Sequence, residues 1–201
     1  MTISSRSLPR LAIASANPGK VAEYRRLLGD LEVELEGVEP RVVEDGASYE
    51  ANAALKAETV ARVTGMPALG DDSGLEIEPL GGFPGLHSAR LAPTQAERNR
   101  IVLERLSGHP KPWRARFVCA LALAVPGRPT RVFTGSCEGE IVTPRPGRGF
   151  GYDPLFLVPE VGKTFSEMSP EEKDRWSHRG AATRALWSSN VLTELGLRAA
   201  G

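Results

Sequence analysis

Arg116-Phe-Val-Cys-Ala-Leu-Ala-Leu-Ala-Val125 decides the fold. After its leading arginine the stretch is unbroken apolar sequence, too continuous for a strand with one wet face. It reads as a central strand buried on both faces. Pro126-Gly127 marks a turn, and Val132 to Val142 returns beside it as an antiparallel hairpin partner. Upstream, Leu11-Ala-Ile-Ala-Ser15 is a short buried strand. Asn17 then suits a helix N-cap and Pro18 the first helical position. Val21, Tyr24, Leu27 and Leu28 share one face of that helix, with Gly29 as its stop.

The next stretch, Leu31 to Val43, reads as extended, broken at Gly37 and Pro40. A second helix is predicted from about Ser48 to Val63, closed by Gly65 and Pro67. Its Ala53, Ala57 and Ala61 recur every four residues, so a neighbour can approach closely. Asp71-Asp-Ser-Gly74 has the composition of a turn, and Leu75 to Glu78 alternates like a half-exposed strand. Gly81 to Pro93 reads as a loop, and Thr94 caps a helix from Gln95 to Leu106. Beyond the hairpin come an irregular glycine-rich basic loop, Pro144 to Gly151, and the capping box Ser169-Pro-Glu-Glu172. A last helix covers roughly Gly180 to Leu195 with Gly196 as its stop. Helices and strands alternate around at least one hairpin. The expected fold class is therefore α/β, a long mixed sheet flanked by helices.

The 201 residues fit one domain spanning 1–201, with no repeat or linker. At 41% hydrophobic content it can build a core without staples. Lys plus Arg and Asp plus Glu are each 25, so a nucleic-acid polymer or an acidic membrane finds no global attraction. Attraction for phosphate must come from local clusters. Cys119 and Cys137 lack metal-ligand spacing and read as buried thiols in a reducing cytoplasm. Met1 to Ala16 holds only a short apolar run, which predicts a cytoplasmic protein with no signal or membrane segment.

Four stretches carry chemistry. Ser15-Ala-Asn-Pro-Gly-Lys20 opens a helix with a glycine and a lysine, where amide groups and the helix dipole attract an anion. It is no Walker A loop, since Val21 follows Lys20. Asp71-Asp-Ser-Gly74, with Glu44 and Asp45 upstream, offers oxygen ligands to magnesium, or is a solvated turn. Gly147-Arg-Gly-Phe-Gly-Tyr-Asp-Pro154 clears space around Phe150 and Tyr152, as a flat base needs, with Asp153 to bond a base edge. The alternative is a bulge with its aromatics in the core. Lys173 with Ser177-His178-Arg179 supplies donors for phosphate or a purine carbonyl, or is a solvated helix face. Asn52 and Lys56 lie four apart on one helical face.

In this order the segments resemble the inosine triphosphate pyrophosphatase family. The resemblance runs from Leu11 to about Leu186. It includes Ser15–Lys20, Tyr49–Ala57, Pro67–Leu75, Gly81–Gly85 with Ser88–Arg90, Gly149–Pro154, Gly162–Thr164, Ser169–Lys173 and Ser177–Arg179. It implies hydrolysis of ITP, dITP and XTP to the monophosphate and pyrophosphate, clearing deaminated purines from the nucleotide pool. It also implies two lobes around a deep cleft, and a homodimer. By position, Ser15, Ala16, Asn17, Pro18, Gly19 and Lys20 would hold the triphosphate, with Lys56 assisting. Glu44 and Asp72 would serve a magnesium ion (Mg2+), Asp72 would be the general base, and Ser73 would touch substrate. Phe150 would stack on the base within the loop Phe150, Gly151, Tyr152 and Asp153; Lys173, His178 and Arg179 would read the purine. The chain departs from the family at Ala51, where many members have Glu and Glu50 is the substitute, and at Ala16, His87 and Leu91. The rival readings are a Maf-type pyrophosphatase, a non-catalytic nucleotide sensor and an RNA-binding module.

Overall fold

The computed structural model describes residues 8–197. Residues 1–7, part of the stretch read as free of a targeting segment, lie outside the described residues. Among the described residues no helix is long and apolar enough to cross a membrane.

The chain runs β1 (Arg10–Ala14), α1 (Pro18–Leu27), β2 (Glu34–Val38), α2 (Tyr49–Thr64) and β3 (Ala68–Ile77). It continues through α3 (Gln95–Leu106), the hairpin β4 (Trp113–Ala124) and β5 (Arg131–Ile141), then β6 (Phe156–Val158) and β7 (Lys163–Thr164). It closes with α4 (Pro170–Trp176), α5 (His178–Ser188) and α6 (Val191–Glu194). The caps explain the helix starts. Asn17, Ser48, Thr94 and Ser169 each accept backbone N–H bonds from the first turn of their helix, and Gly65 closes α2 in the left-handed region.

The strands form one seven-stranded sheet in the order β2-β1-β3-β4-β5-β6-β7. β1 is parallel to both β2 and β3, and the remaining pairs are antiparallel. α1 packs over Leu11, Ile13, Leu69, Leu121 and Leu123 together with α5 and α6. α2 covers the other face, where Ala12, Ala14, Ala120 and Ala122 form a thin layer. A third cluster joins Phe117, Phe156 and Phe165 to Leu75, Ile77 and the Val102 and Leu106 of α3. By strand alternation Phe117 shares a sheet face with Cys119 and Leu121. Two packed lobes thus stand side by side on that face, and a crevice opens where they part.

The alanine stripe of α2 works as its spacing predicts. A Cβ placed on Gly70 would overlap the Ala53 carbonyl oxygen and stand 2.7 Å from the Ala57 nitrogen. Helix and strand backbones therefore touch there.

Three expectations need correction. Asp71-Asp-Ser-Gly74 is no turn but the middle of β3, in register with β4 from Leu121 to Val118. Gly37 does not break the chain; it pairs with Ile13 inside β2 and leaves room for Val21. The last helix is two helices. Ser189 is extended, and its hydroxyl donates to the Leu186 carbonyl, so a run of small polar residues competes with the helical ladder.

Candidate active site

The crevice begins where β1 ends. Ala14 and Gly70 are the last paired residues of β1 and β3, while β3 continues to Ile77. β1 lies between β2 and β3, and α1 and α2 leave over opposite faces. In open α/β sheets the carboxyl end of a strand at such a switch point is where ligands sit.

The tip of α1 stands at this point. The Asn17 carboxamide oxygen accepts from the Gly19 and Lys20 amides at 2.8 and 3.3 Å, and Pro18 has no N–H. Ser15 Oγ accepts from the Asn17 amide at 3.1 Å and so fixes the turn at Ala16.

Lys20 pairs with Asp71, a residue to which the sequence reading gave no separate role. Asp71 is 3% exposed and also accepts from Tyr24 at 2.7 Å, Ser73 at 2.7 Å and Arg179 Nε at 2.8 Å. Burial works to raise its pKa, yet Arg179 and Lys20 beside it hold the carboxyl well below the usual carboxylate range. Arg179 continues the chain of charge. Its Nη2 donates to Ser73 Oγ at 2.9 Å and its Nη1 to Glu23 at 2.5 Å. Glu23 meets Lys173 at 2.7 Å, and Lys173 meets Asp153 at 2.6 Å. Asp153 in turn accepts from the Phe150 amide at 2.8 Å. A line of alternating charge thus runs from the α1 tip to the glycine-rich loop.

Phe150 sits at its end. A Cβ on Gly19 would lie 2.5 Å from the Phe150 ring, so only glycine lets the ring rest on the helix tip. Lys173 Nζ is 4.8 Å from the ring centroid. The ring borders two hollows. One, of about 190 Å³, is bounded by Ser73, Ser88, Gln95, His178 and Arg179. The other, of about 270 Å³, is bounded by Ala22, Arg148, Met168 and Lys173. His178 lies beneath the first, stacked on Phe117 at 4.6 Å and 10°. Its Nδ1 is buried with no partner among the described residues, and burial with Arg179 alongside pushes its pKa well below 6.5. The imidazole is therefore neutral at pH 7.

Tyr152 takes the opposite course from Phe150. It is buried, and its hydroxyl donates to the Ser88 carbonyl at 2.8 Å, so its ring braces the core and offers no open stacking face. Gly151 is held by Gln95 through a 3.0 Å bond. Asp153 is also committed, to Lys173 and its own loop, where the sequence reading left it open to a base edge.

Asp72 points to the other side of β3, under α2. It accepts from Lys56 at 2.9 Å and Asn52 at 3.1 Å. Burial outweighs Lys56, and its pKa is raised. Lys56 also meets Glu44 at 3.4 Å, and Asn52 accepts from the Gly46 amide at 2.8 Å. Glu50 is exposed on the first turn of α2. Among the described residues no three His, Cys, Asp or Glu side chains gather as a metal cage. A wider groove of about 540 Å³ crosses the sheet between Glu76, Arg116 and Glu138, away from all these groups.

The structure brings Asn17, Lys20, Ser73, Phe150, Gly151, Asp153, His178 and Arg179 around one crevice, with Tyr152 turned inward, whereas Glu44, Lys56 and Asp72 meet separately under α2. Sequence reasoning missed Asp71 as the hub, Glu23, Tyr24, and the braces Ser88 and Gln95. Asp71 carried a signal, since two adjacent acids need countercharge on both faces of a strand. Glu23 carried none beyond lying next to an inward-facing tyrosine.

The Ham1 family model matches residues 11–189. A dITP/XTP pyrophosphatase of Syntrophobacter fumaroxidans is 50% identical over 185 residues, covering 88% of this chain and 79% of the relative. An enzyme of that name from Thermus thermophilus is 49% identical over 187 residues, covering 88% of this chain and 89% of the relative. A solved HAM1 protein of Coxiella burnetii superposes with TM-score 0.81 at 40% identity, over 93% of this chain and all of that one. The matched span contains the α1 tip, both faces of β3 and the Phe150 loop, so crevice and fold lead to one assignment: the chain belongs to the Ham1 family.

Proposed function

We propose that this protein hydrolyses deaminated purine nucleoside triphosphates, dITP, ITP and XTP, to the monophosphate and pyrophosphate. One observation carries the reading. A single crevice is lined by Asn17 and Lys20 of the α1 tip together with Phe150 and a neutral His178, and Asp72 lies on the reverse face of the same β3 strand that lends it Ser73. A polyanion and a flat heterocycle on one molecule match that pairing of cationic helix tip and aromatic ring.

The base lies against Phe150, with the Lys173 and Arg179 cations, 4.8 and 5.8 Å from the ring centroid, as donors. A 6-keto oxygen accepts from such donors. The 6-amino group of adenine brings a donor where a donor already stands, which leaves buried groups unpaired and costs affinity. Phosphates take the place of the Asn17 carboxamide on the Gly19 and Lys20 amides. Asp72, with its pKa raised toward the working pH, accepts the proton of the water that attacks the α-phosphorus. Lys20, Lys56 and the helix tip hold the departing pyrophosphate. Glu44 and Asp72 converge on one ammonium group, and two carboxylates completed by phosphate oxygens suit magnesium. Bound there, the ion supplies positive charge to the phosphate oxygens.

The test is a nucleotide panel of ITP, dITP, XTP, ATP, GTP and dTTP, run with magnesium in 18O-labelled water. Pyrophosphate should be released from the first three, with label in the monophosphate. Release of inorganic phosphate, or label in pyrophosphate, would place the attack elsewhere.

A further inference from the structure

The loop between Val38 and Ser48 carries Glu44, yet contains no helix or strand. Among the described residues, three side chains from outside it hold it. Asn52 accepts from the Gly46 amide at 2.8 Å, and Lys56 reaches the Glu44 carboxylate at 3.4 Å. Both belong to α2, and both also hold Asp72. The third is Arg90, whose Nη1 donates to the Glu44 carbonyl oxygen at 2.6 Å.

Arg90 comes from the segment between β3 and α3, and its root is fixed. Two residues earlier, buried Ser88 accepts from the Leu75 amide at 2.9 Å and donates to the Gly85 carbonyl at 2.6 Å. Leu75 lies on β3, three residues from Asp72. Arg90 thus sets the Glu44 backbone against the strand that holds the other carboxylate. A charged donor makes that bond stronger than a neutral one. The Arg90 side chain is exposed, so no core packing is built on it. The Glu44 side chain is 37% exposed, so its direction depends on where its backbone is held.

We infer that Arg90 is a positioning residue for the divalent-cation site, acting through the Glu44 carbonyl rather than on substrate. This rests on the cation site proposed above. A purely electrostatic role has the opposite sign: removing a positive charge would favour a bound cation.

The experiment compares wild type, Arg90→Met and Arg90→Lys by Mn2+ binding, followed by electron paramagnetic resonance with a non-hydrolysable ITP analogue. It adds amide exchange of the metal-free proteins over residues 39–47. Arg90→Met should weaken Mn2+ binding about tenfold or more, the usual effect of losing an outer partner of a ligand. It should also speed exchange in that loop and leave metal-free nucleotide affinity unchanged. Arg90→Lys, which keeps a charged donor, should recover part of both, and it carries the test should the methionine variant not fold. Unchanged or tighter Mn2+ binding would overturn the proposal, as would a loss confined to metal-free nucleotide affinity. Wild type that releases no pyrophosphate from dITP strikes the functional reading; active wild type with unmoved Mn2+ affinity in the variant strikes Arg90 alone.

Discussion

Asp71 and Asp72 adjoin in the chain but meet different surroundings, because a strand turns successive side chains to opposite faces. Asp71 faces Arg179 and Lys20 and stays ionised; Asp72 faces α2 and has a raised pKa. Asp72→Asn should therefore lower turnover at least about 10²-fold, as loss of a general base does. Thermal unfolding and metal-free dITP binding by the variant should stay close to wild type. Turnover near normal would remove Asp72 from the chemistry. Phe150→Ala should weaken dITP binding by about 1–3 kcal/mol if the ring stacks on the base. Unchanged affinity by calorimetry would leave the ring a purely structural part. His178 gives a pH signature. Its folded pKa is depressed, so below 6.5 the unfolded chain takes up a proton that the folded chain refuses. Stability falls as pH drops through that range, by at most about 1.4 kcal/mol per pH unit. Urea unfolding at several pH values should show this slope, and His178→Asn should flatten it; an equal slope in both would refute a neutral buried His178. At this scale the sequence displayed the residue types but not their partners. Lys56 lies 16 residues from Asp72 and Arg179 lies 108 from Asp71. Such distant countercharges are invisible to local pattern, which is why two acids in mid-strand looked like a turn.

Local signals explain what was legible among the elements. Caps at Asn17, Ser48, Thr94 and Ser169 lie within four residues of the amides they serve, and each helix starts where its cap predicts. The hairpin β4–β5 was legible because its turn and both apolar runs are contiguous. The split between α5 and α6 was not, because the apolar pattern runs on to Val191 and Leu192, both buried. The contact between α2 and β3 carries a prediction. In Gly70→Ala the new methyl would overlap the Ala53 carbonyl and the Ala57 amide, backbone atoms that cannot rotate away. Overpacking of that kind costs about 1–3 kcal/mol or more. It would also shift Asn52 and Lys56 away from Asp72, so activity should fall together with stability. A variant as stable as wild type would show that the helix does not rest on the strand.

Across the whole molecule, one line of buried charge ties α1, β3, α5, α4 and the Phe150 loop together through Lys20, Asp71, Arg179, Glu23, Lys173 and Asp153. Breaking such a line leaves buried charges without partners. Arg179→Met should cost about 3–5 kcal/mol in denaturant unfolding, far beyond a surface arginine. A loss below about 1 kcal/mol would mean that the line contributes little to folding. The sequence could show a helix tip and a glycine-rich loop. It could not show that one ionic line joins them, since that depends on the register of the whole sheet. The central claim is that this joined crevice distinguishes a 6-keto purine from adenine while working on the triphosphate. The direct measurement is kcat/KM for pyrophosphate release from ITP and from ATP, taken side by side on the purified protein with magnesium. The account predicts a preference for ITP of at least about 10²-fold, because donors at the base end leave adenine unpaired. Near-equal values for the two nucleotides would contradict it.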